Sequence, residues 1–357
     1  MIAFYFYYFI TMILIDKNKV YGIILGHALG DALGTPVEFF PYAHYNGKLE
    51  SAVIKYSRTY GKLVGVVGQV SDDTEMAMIL LKTIRDGYTK ERAVVNYMTW
   101  ANNKFDSCKG RSPFMGRNTR NLFVAPKSTY ELYLNRFRKH YPDFETMEAS
   151  QSNGALMRAY AHIFADDENI IREDVFITNP SELVYNAVYT YIQAIKMAIE
   201  NTPKHIIREK IREMIKFDKL LIAFDEASSN TFRNVTINKG HIIHAYYCAF
   251  WGLFQFDNYK DAIDAIICLG PEEGIPAMIC VKGKWKKSEV IIGDTDTNAA
   301  IAGALLGAYY GYDKIIENDI TRANIDILLK CDTAKGDIVR PYNYKLTEDF
   351  IADFVKN

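Results

Sequence analysis

Two aspartates near the end of the chain, Asp294 and Asp296, have the type and spacing of cation ligands. They alternate with Thr295 and Thr297 and stand directly before an apolar run with helical spacing, residues 299–311. A single acid at a helix N-terminus is an ordinary cap for unpaired N–H groups. Two acids with two hydroxyls exceed that need, and they offer the oxygen ligands that Mg²⁺ prefers. The stretch therefore favours a metal site, with helix capping as the alternative.

A second cluster of acids and hydroxyls, Ser-Asp-Asp-Thr at residues 71–74, precedes another apolar helical stretch. Asp72 and Glu75 have the spacing of a capping box, so helix capping explains part of this cluster. Asp73 is more than a cap requires, and carboxylates this close together need a countercharge or raised pKa values. Two such clusters at predicted helix starts are much less probable by chance than one.

The first predicted helix, residues 18–34, carries a further acid among apolar residues. An unpaired buried carboxylate is costly, so Asp31 either hydrogen-bonds a neighbouring backbone or belongs to a site. Pro36 ends this helix, and Glu38 follows it. Glycines at four-residue spacing mark one face of the helix, and residues 299–311 carry a similar stripe of small residues. The two stripes predict a pair of helices whose backbones approach closely.

The polar stretch 149–158, Ala-Ser-Gln-Ser-Asn-Gly-Ala-Leu-Met-Arg, opens a predicted helix. A turn of this kind suits backbone contacts to an anionic ligand, although a plain Ser/Asn cap explains it equally well. The basic and aromatic connection before it, roughly 104–150, is too long for an idle loop and is predicted to form part of a binding rim. His241 and His244 lack a nearby acid motif, which favours a core or capping role over metal ligation.

Apolar periodicity and turn residues predict one all-α domain over residues 18–357. Two β-branched runs around Lys-Gly-Lys predict a small β-hairpin insertion within 271–292. The remaining turn-rich stretch, 41–70, is predicted to be a loop. Further helices are predicted at 89–103, 153–165, 181–200, 204–217, 240–269 with a break near Asp257, 319–330 and 346–355.

Composition narrows the class of protein. With 49% apolar and 24% charged residues and a net charge of −1, the 357-residue chain has a globular profile and no electrostatic footprint for nucleic acid. Five cysteines without metal-site spacing predict free thiols in a reducing compartment, hence a cytoplasmic protein. The apolar N-terminal extension, residues 1–17, is short for a membrane span and lacks a signal-peptide pattern. It is interpreted as lying outside the fold, with an interfacial anchor as the alternative.

Taken together, the acid-bearing segments resemble the ADP-ribosylglycohydrolase family. The family's Gly-Asp-Ala-Leu-Gly-x-Pro-Val-Glu is matched at 30–38 and its Ser/Thr-Asp-Asp-Thr at 71–74. Its Gly-Ser-x-Gly-Asn-Gly-Ala-x-Met-Arg is matched in part at 149–158, and its Gly-Asp-x-Asp-Thr/Ser-x-Ala-Ala-Ile-Ala-Gly at 293–303. Each motif is weak alone, but the four occur in the family's order and span nearly the whole chain after residue 18.

The resemblance implies a compact orthogonal bundle of helices and a hydrolase with two Mg²⁺ ions, for which Mn²⁺ is an alternative. The implied substrate is a protein carrying ADP-ribose on arginine or serine, or a small ADP-ribose conjugate. The implied metal ligands are Ser71, Asp72, Asp73, Asp294, Asp296 and Thr297. The implied substrate contacts are Ser150, Asn153 and Gly154. We expect the carboxylates closest to the chemistry to be Glu38, Asp72 and Asp73.

Three features depart from the family's pattern. Asn179 stands where the family often has histidine, the loop at 149–152 differs from the usual residues, and residues 271–292 interrupt the approach to Asp294. These departures motivate a second hypothesis, an ADP-ribose-binding protein without turnover. A third hypothesis is a metal-dependent phosphohydrolase, because acid clusters also serve phosphoryl transfer. The three hypotheses predict different products: ADP-ribose for the hydrolase, no product for the binding protein, and AMP or phosphate for the phosphohydrolase.

Overall fold

The computed structural model describes residues 15–38, 67–102, 115–165, 167–270, 278–281, 284–287, 293–331 and 346–355. The structure is built almost entirely from helices, which confirms the predicted all-α class. The first half contains α1 (Lys17–Gly34), a 3₁₀ turn (Thr35–Val37), α2 (Asp72–Arg85), α3 (Lys90–Ala101), α4 (Arg117–Phe123), α5 (Tyr130–His140), α6 (Phe144–Glu148) and a 3₁₀ helix (Asn153–Phe164).

The second half continues with helices packed around the same core. They are α7 (Asn169–Thr178), α8 (Glu182–Ile199), α9 (Lys204–Met214), α10 (Asp218–Ser228), α11 (Ile242–Gln255), α12 (Tyr259–Ile267), α13 (Thr295–Tyr310), α14 (Tyr312–Ile316), α15 (Asp319–Lys330) and α16 (Glu348–Ala352). Two short strands, β1 (Met278–Val281) and β2 (Lys284–Lys287), pair antiparallel with Val281 opposite Lys284. This pairing confirms the predicted hairpin.

The centre of the fold is the antiparallel pair α1 and α13. A β-carbon at Gly30 would collide with the carbonyl oxygen of Ala299, and one at Gly307 would collide with that of Gly22. Side chains therefore cannot separate these two backbones, and the predicted close packing of the two small-residue stripes is confirmed. Because the helices run antiparallel, the end of α1 lies beside the start of α13, where Gly34 contacts the backbone of Asp296.

Several predicted elements differ in detail. The connection 104–150 contains α4, α5 and α6 in its described part, and residues 153–164 form a 3₁₀ helix with i to i+3 bonding. Helices α7, α10 and α14 were not predicted, since their apolar stripes are short. The long segment 240–269 is broken as predicted, between Gln255 and Tyr259. Nearly all of the predicted loop 41–70 lies outside the described residues.

The N-terminal extension falls mostly outside the described residues, which begin at Ile15. Ile15 is buried, and Asp16 caps α1 by accepting from the backbone of Asn18. The division into an extension and one domain stays a prediction. None of the helices in the described part of the chain combines the length and hydrophobicity that crossing a bilayer requires. Within that part, Cys248 is a buried free thiol.

Candidate active site

Asp31 joins the end of α1 to the start of α2. Its carboxylate accepts hydrogen bonds from the backbone N–H of Ser71 (3.0 Å) and of Thr74 (3.1 Å) and from the Thr74 hydroxyl (2.6 Å). The Thr35 hydroxyl lies 3.1 Å from its second oxygen. The expectation that Asp31 bonds a neighbouring backbone is confirmed. These bonds hold the first turn of α2, with its two further aspartates, against α1.

The N-cap of α2 is Ser71 rather than Asp72. The Ser71 hydroxyl accepts from the backbone of Asp73 at 3.3 Å and donates to the Asp73 carboxylate at 2.8 Å. The predicted capping box from Asp72 to Glu75 is therefore wrong: Asp72 is already inside the helix, and Glu75 accepts from the indole of Trp100 at 2.8 Å. Freed from capping, both aspartates of this turn are available to a ligand.

The carboxylates from α1, α2 and α13 converge into two groups. Asp31, Asp73 and Asp296 each offer an oxygen within 4.8 Å of the others, and so do Glu38, Asp294 and Asp296. Asp296 belongs to both groups, so the two potential cation positions are adjacent. We refer to Asp31, Glu38, Asp72, Asp73, Asp294 and Asp296 as the acidic cluster.

The electrostatics of the acidic cluster are unfavourable without a cation. Burial, together with the charges of Glu38 and Asp31, holds the pKa of Asp72 well above its ordinary value. Burial raises the pKa of Asp73 and of Asp296 in the same way, and neighbouring carboxylates add to each shift. Such shifts arise when like charges share a site that water cannot solvate. A divalent cation would offset this repulsion.

The donors of the cluster fit a hard divalent ion. Carboxylate and hydroxyl oxygens are the ligands of Mg²⁺ and Mn²⁺, and no thiol or imidazole takes part within the described residues. One carboxylate oxygen of Asp73 is buried and lacks a hydrogen-bond partner. An unpaired oxygen on a buried carboxylate is costly unless a cation binds it. The side chains present are therefore compatible with the predicted metal ions.

The acidic cluster opens into a cavity of about 560 Å³. Its acidic lining residues, with one threonine, are Glu38, Asp72, Asp73, Asp294, Asp296 and Thr297. The lining also includes α4 and the residues before it, among them Arg117 and Arg120, and Ser152, Asn153, Gly154, Met157 and Gly240. Both carboxylates and arginines thus line the same cavity. Sequence reasoning placed α4 only within a general rim and did not single out its arginines.

The predicted substrate contacts divide between two cavities. Asn153 and Gly154 line the main cavity, and the Asn153 amide donates to Asp294 at 2.8 Å. Ser150 lines a neighbouring cavity of about 300 Å³, which shares Arg117, Asn118 and Ser152 with the main one. The turn before the 3₁₀ helix therefore separates the two cavities. Ser71, predicted as a metal ligand, is engaged in capping α2 and is not among the residues lining the main cavity.

The walls are fixed by backbone pairing between distant segments. Asn153 N–H donates to Gly240 at 3.0 Å, and Ile242 N–H donates to Gln151 at 2.9 Å. Lys239, which precedes Gly240, has a pKa below its ordinary value because burial outweighs the opposing effect of Asp294 and Glu38. Its charge therefore interacts with the acidic cluster. Because no motif surrounds Lys239, sequence patterns do not single it out.

Two further expectations concern histidines and the insertion. His241 caps α11 by accepting from the backbone of Ile243, and His244 is buried, which confirms the predicted capping or core role for each. Asp294 lies in the cavity with Asp296 although the hairpin precedes it. The insertion therefore does not displace the acids of α13.

Comparison with known proteins places the chain in context. The model of the ADP-ribosylglycohydrolase family matches residues 13–280 and 290–332. A putative ADP-ribosyl glycohydrolase of Acanthamoeba polyphaga mimivirus is 24% identical and covers 87% of this chain and 91% of its own. The human ADP-ribosylhydrolase ARH3 is 24% identical, covering 84% of this chain and 88% of its own.

Two more comparisons agree with these. The ADP-ribosylarginine hydrolase Tri1 of Serratia proteamaculans is 23% identical and covers 84% of this chain and 73% of its own. A solved structure of an ADP-ribosylglycohydrolase-related protein complex shares the fold, with a TM-score of 0.57, 19% identity, and coverage of 87% of this chain and 97% of that one. The chain belongs to the ADP-ribosylglycohydrolase family.

Proposed function

We propose that this protein hydrolyses the glycosidic bond between ADP-ribose and a modified side chain or small conjugate, with two Mg²⁺ ions held by the acidic cluster. The observation that carries the proposal is the cavity itself, which is lined both by the carboxylates of the acidic cluster and by Arg117 and Arg120. A ligand with hydroxyls for bound cations and phosphates for guanidinium groups suits this lining. ADP-ribose has both. The names of the relatives support the same reaction.

The residues that hold the ions follow from the two carboxylate groups. Asp31, Asp73 and Asp296 fit one ion, and Glu38, Asp294 and Asp296 fit the other, with Thr297 and Asp72 lining the same wall. When bound, Mg²⁺ supplies positive charge that orients ligand hydroxyls and lowers the pKa of water. Mn²⁺ has the same ligand preference and is the natural substitute in a test.

The chain's own groups supply proton transfer and orientation. Cleavage of a glycosidic bond passes through an oxocarbenium-like state, and a carboxylate beside the attacking water assists by accepting its proton. Glu38, Asp72 and Asp73 line the cavity and are assigned this task as a set. Asn153 and Gly154 at the 3₁₀ helix start are assigned to ligand contact, and Ser150 to the neighbouring cavity.

The test is release of free ADP-ribose from arginine-linked and serine-linked substrates, with Mg²⁺ and with EDTA. We expect release with Mg²⁺ and none with EDTA, and the preferred substrate identifies the linkage. Release of AMP or phosphate would support the phosphohydrolase hypothesis instead. Saturable Mg²⁺-dependent binding of ADP-ribose without release would support a binding protein and would overturn the proposed reaction.

A further inference from the structure

A single phenol oxygen joins three segments at the boundary between the two cavities. The Tyr141 hydroxyl lies 2.7 Å from the carbonyl of Thr178, 2.9 Å from the side-chain oxygen of Asn118 and 2.8 Å from the Ser150 hydroxyl. Asn118 lines both cavities, Tyr141 and Ser150 line the smaller one, and Thr178 is the last residue of α7. Tyr141 is buried.

The hydrogen-bond roles at this junction can be assigned. The phenol has one proton, which it can donate to the Thr178 carbonyl or to the Asn118 amide oxygen, and neither of these oxygens can donate in return. The Ser150 hydroxyl is therefore the donor towards the phenol oxygen. The Asn118 amide nitrogen donates to the same Thr178 carbonyl at 2.6 Å. His140 contacts the Asn118 oxygen at 2.7 Å. Both ends of the Asn118 side chain are thus engaged.

The backbone behind the junction is itself held firmly. The Thr178 hydroxyl accepts from the fully buried Arg158 at 3.0 Å, and Arg158 also donates to the carbonyl of Gly154 in the main cavity wall. The next residue, Asn179, donates to the Ser150 carbonyl at 3.2 Å and to the Ser152 hydroxyl at 2.9 Å. In this chain, Asn179 thus holds the turn at residues 150–152 by hydrogen bonds from its side-chain amide.

We propose that Tyr141 is a positioning residue that sets the distance between the α4 wall and the Ser150 turn, and so tunes the fit of the ligand. This inference rests on the proposed function. Removing the phenol oxygen leaves Asn118, Ser150 and Thr178 without their common partner. Within the described residues, the hydrogen bonds of the Tyr141 side chain go to these three residues and to none of the acidic cluster. The effect should therefore appear in ligand binding rather than in cation binding.

A matched pair of substitutions separates positioning from general stability. Tyr133 is also buried, and its hydroxyl donates to the carbonyl of Ile177 at 3.0 Å, one residue before Thr178. Tyr141→Phe and Tyr133→Phe each delete one phenol oxygen bonded to the end of α7, but Tyr133 lines neither cavity. The readouts are KM and kcat for ADP-ribose release, the Kd of ADP-ribose with Mg²⁺, and the rise in Tm caused by Mg²⁺ alone.

We expect Tyr141→Phe to raise KM and Kd about tenfold, the usual consequence of losing a buried hydrogen bond, with kcat changed less than about twofold. Tyr133→Phe should leave KM and Kd unchanged while lowering Tm, and both variants should keep the Mg²⁺ effect on Tm. Equal KM and Kd in the two variants would overturn the positioning role and leave the proposed function standing. Wild-type protein that neither binds nor releases ADP-ribose would overturn both.

A second variant tests whether the position of the Ser150 turn sets ligand affinity, which the inference about Tyr141 requires. Asn179→Leu removes the amide bonds to Ser150 and Ser152 without changing the aromatic ring at 141. It should also raise KM and Kd, by about threefold to tenfold, with kcat and the Mg²⁺ effect on Tm retained. A wild-type KM in this variant would contradict positioning of the Ser150 turn from behind.

Discussion

Two clusters of buried charge lie in the same core and differ in their balance. In the first, Arg158 and Asp174 form an ion pair at 2.9 Å between side chains that are both fully buried. Tyr97 donates to the other Asp174 oxygen at 2.8 Å. Burial raises the pKa of Asp174, but Arg158 and the hydrogen bonds outweigh it and leave the pKa at about 2. Each oxygen of the Asp174 carboxylate therefore accepts a hydrogen bond, and one of the donors is a guanidinium. We refer to Arg158, Asp174 and Tyr97 as the balanced cluster.

The acidic cluster is the opposite case. Asp72, Asp73 and Asp296 are buried, and their pKa values are held above the ordinary one by burial and by neighbouring carboxylates. Asp174 has a guanidinium at hydrogen-bond distance, whereas these three aspartates share their site chiefly with other acids. This difference supports the proposal that cations complete the acidic cluster.

The largest expected effect comes from neutralising two acids of the second cluster. Asp72→Asn with Asp73→Asn should reduce ADP-ribose release by about a thousandfold or more, because ion binding and proton acceptance are both lost. In EDTA the same variant should have a higher Tm than wild type, since like charges are removed. Thermal unfolding with and without Mg²⁺, alongside an activity assay, checks both statements.

The control for this variant is Asp257→Asn. The side chain of Asp257 is fully exposed in the connection between α11 and α12. It removes an acid of the same type from the surface and should change neither activity nor Tm measurably. Wild-type activity in the Asp72/Asp73 double variant would show that the carboxylates assigned to the chemistry are wrong.

Neutralising the acid of the balanced cluster should lower the stability of the protein, whereas neutralising acids of the acidic cluster should raise it in EDTA. Asp174→Asn leaves the Arg158 guanidinium buried without its carboxylate and should lower the free energy of unfolding by about 3–5 kcal/mol. Urea unfolding measures the loss, and Mg²⁺ should not restore it. Glu182→Gln, in the exposed pair with Arg172, should cost at most about 1 kcal/mol. Equal losses in both variants would contradict the distinction between a buried and an exposed pair.

The pH dependence of the two clusters should have opposite signs. The metal-free acidic cluster has raised pKa values, so above pH 3.8 the folded state holds protons that the unfolded chain has released, and stability falls as pH rises. Asp174 has a lowered pKa, so its contribution is present above pH 3.8 and is lost as pH falls towards about 2.

The pH dependence of the acidic cluster can be measured in EDTA as the difference in Tm between wild type and the Asp72→Asn/Asp73→Asn variant. Relative to the Asp72→Asn/Asp73→Asn variant, wild type should become progressively less stable as the pH rises above 3.8. Mg²⁺ binding should strengthen over the same range, because its carboxylate ligands must be deprotonated. A Tm difference that does not vary with pH would show that these carboxyls have ordinary pKa values.

The smallest effect is expected at the edge of the balanced cluster. Tyr97→Phe removes the hydroxyl that donates to Asp174 but leaves the ion pair with Arg158. We expect a loss of about 1–2 kcal/mol in the free energy of unfolding, measured in urea, because one hydrogen bond to a buried charge is removed. A loss as large as that of Asp174→Asn would mean that the tyrosine, rather than the arginine, balances Asp174.

Sequence patterns predicted the acidic cluster better than the balanced one. Asp294 and Asp296 are recognisable because acids and hydroxyls alternate before an apolar helix, and the small-residue stripes of α1 and α13 follow from the spacing of glycines. Asp31 was noticed as a buried acid, but its bonds to residues 71–74 depend on how two distant helices meet.

The rest depends on tertiary packing that leaves no local pattern. Arg158 and Asp174 are sixteen positions apart and pair only because α7 folds back on the 3₁₀ helix. Residues 117–120 reach the cavity because α4 packs beside α3, and their sequence carries no motif that indicates ligand contact. Likewise, Ser71 rather than Asp72 became the cap because the start of α2 is set by Asp31.

The most direct test of the account is calorimetric titration of Mg²⁺ into the metal-free protein near neutral pH. The converging carboxylates of the acidic cluster predict saturable binding of two ions and release of protons on binding, with fewer ions bound and fewer protons released in the Asp72→Asn/Asp73→Asn variant. Absence of binding at millimolar Mg²⁺, or equal binding in wild type and variant, would contradict the central claim that the acidic cluster is a divalent cation site.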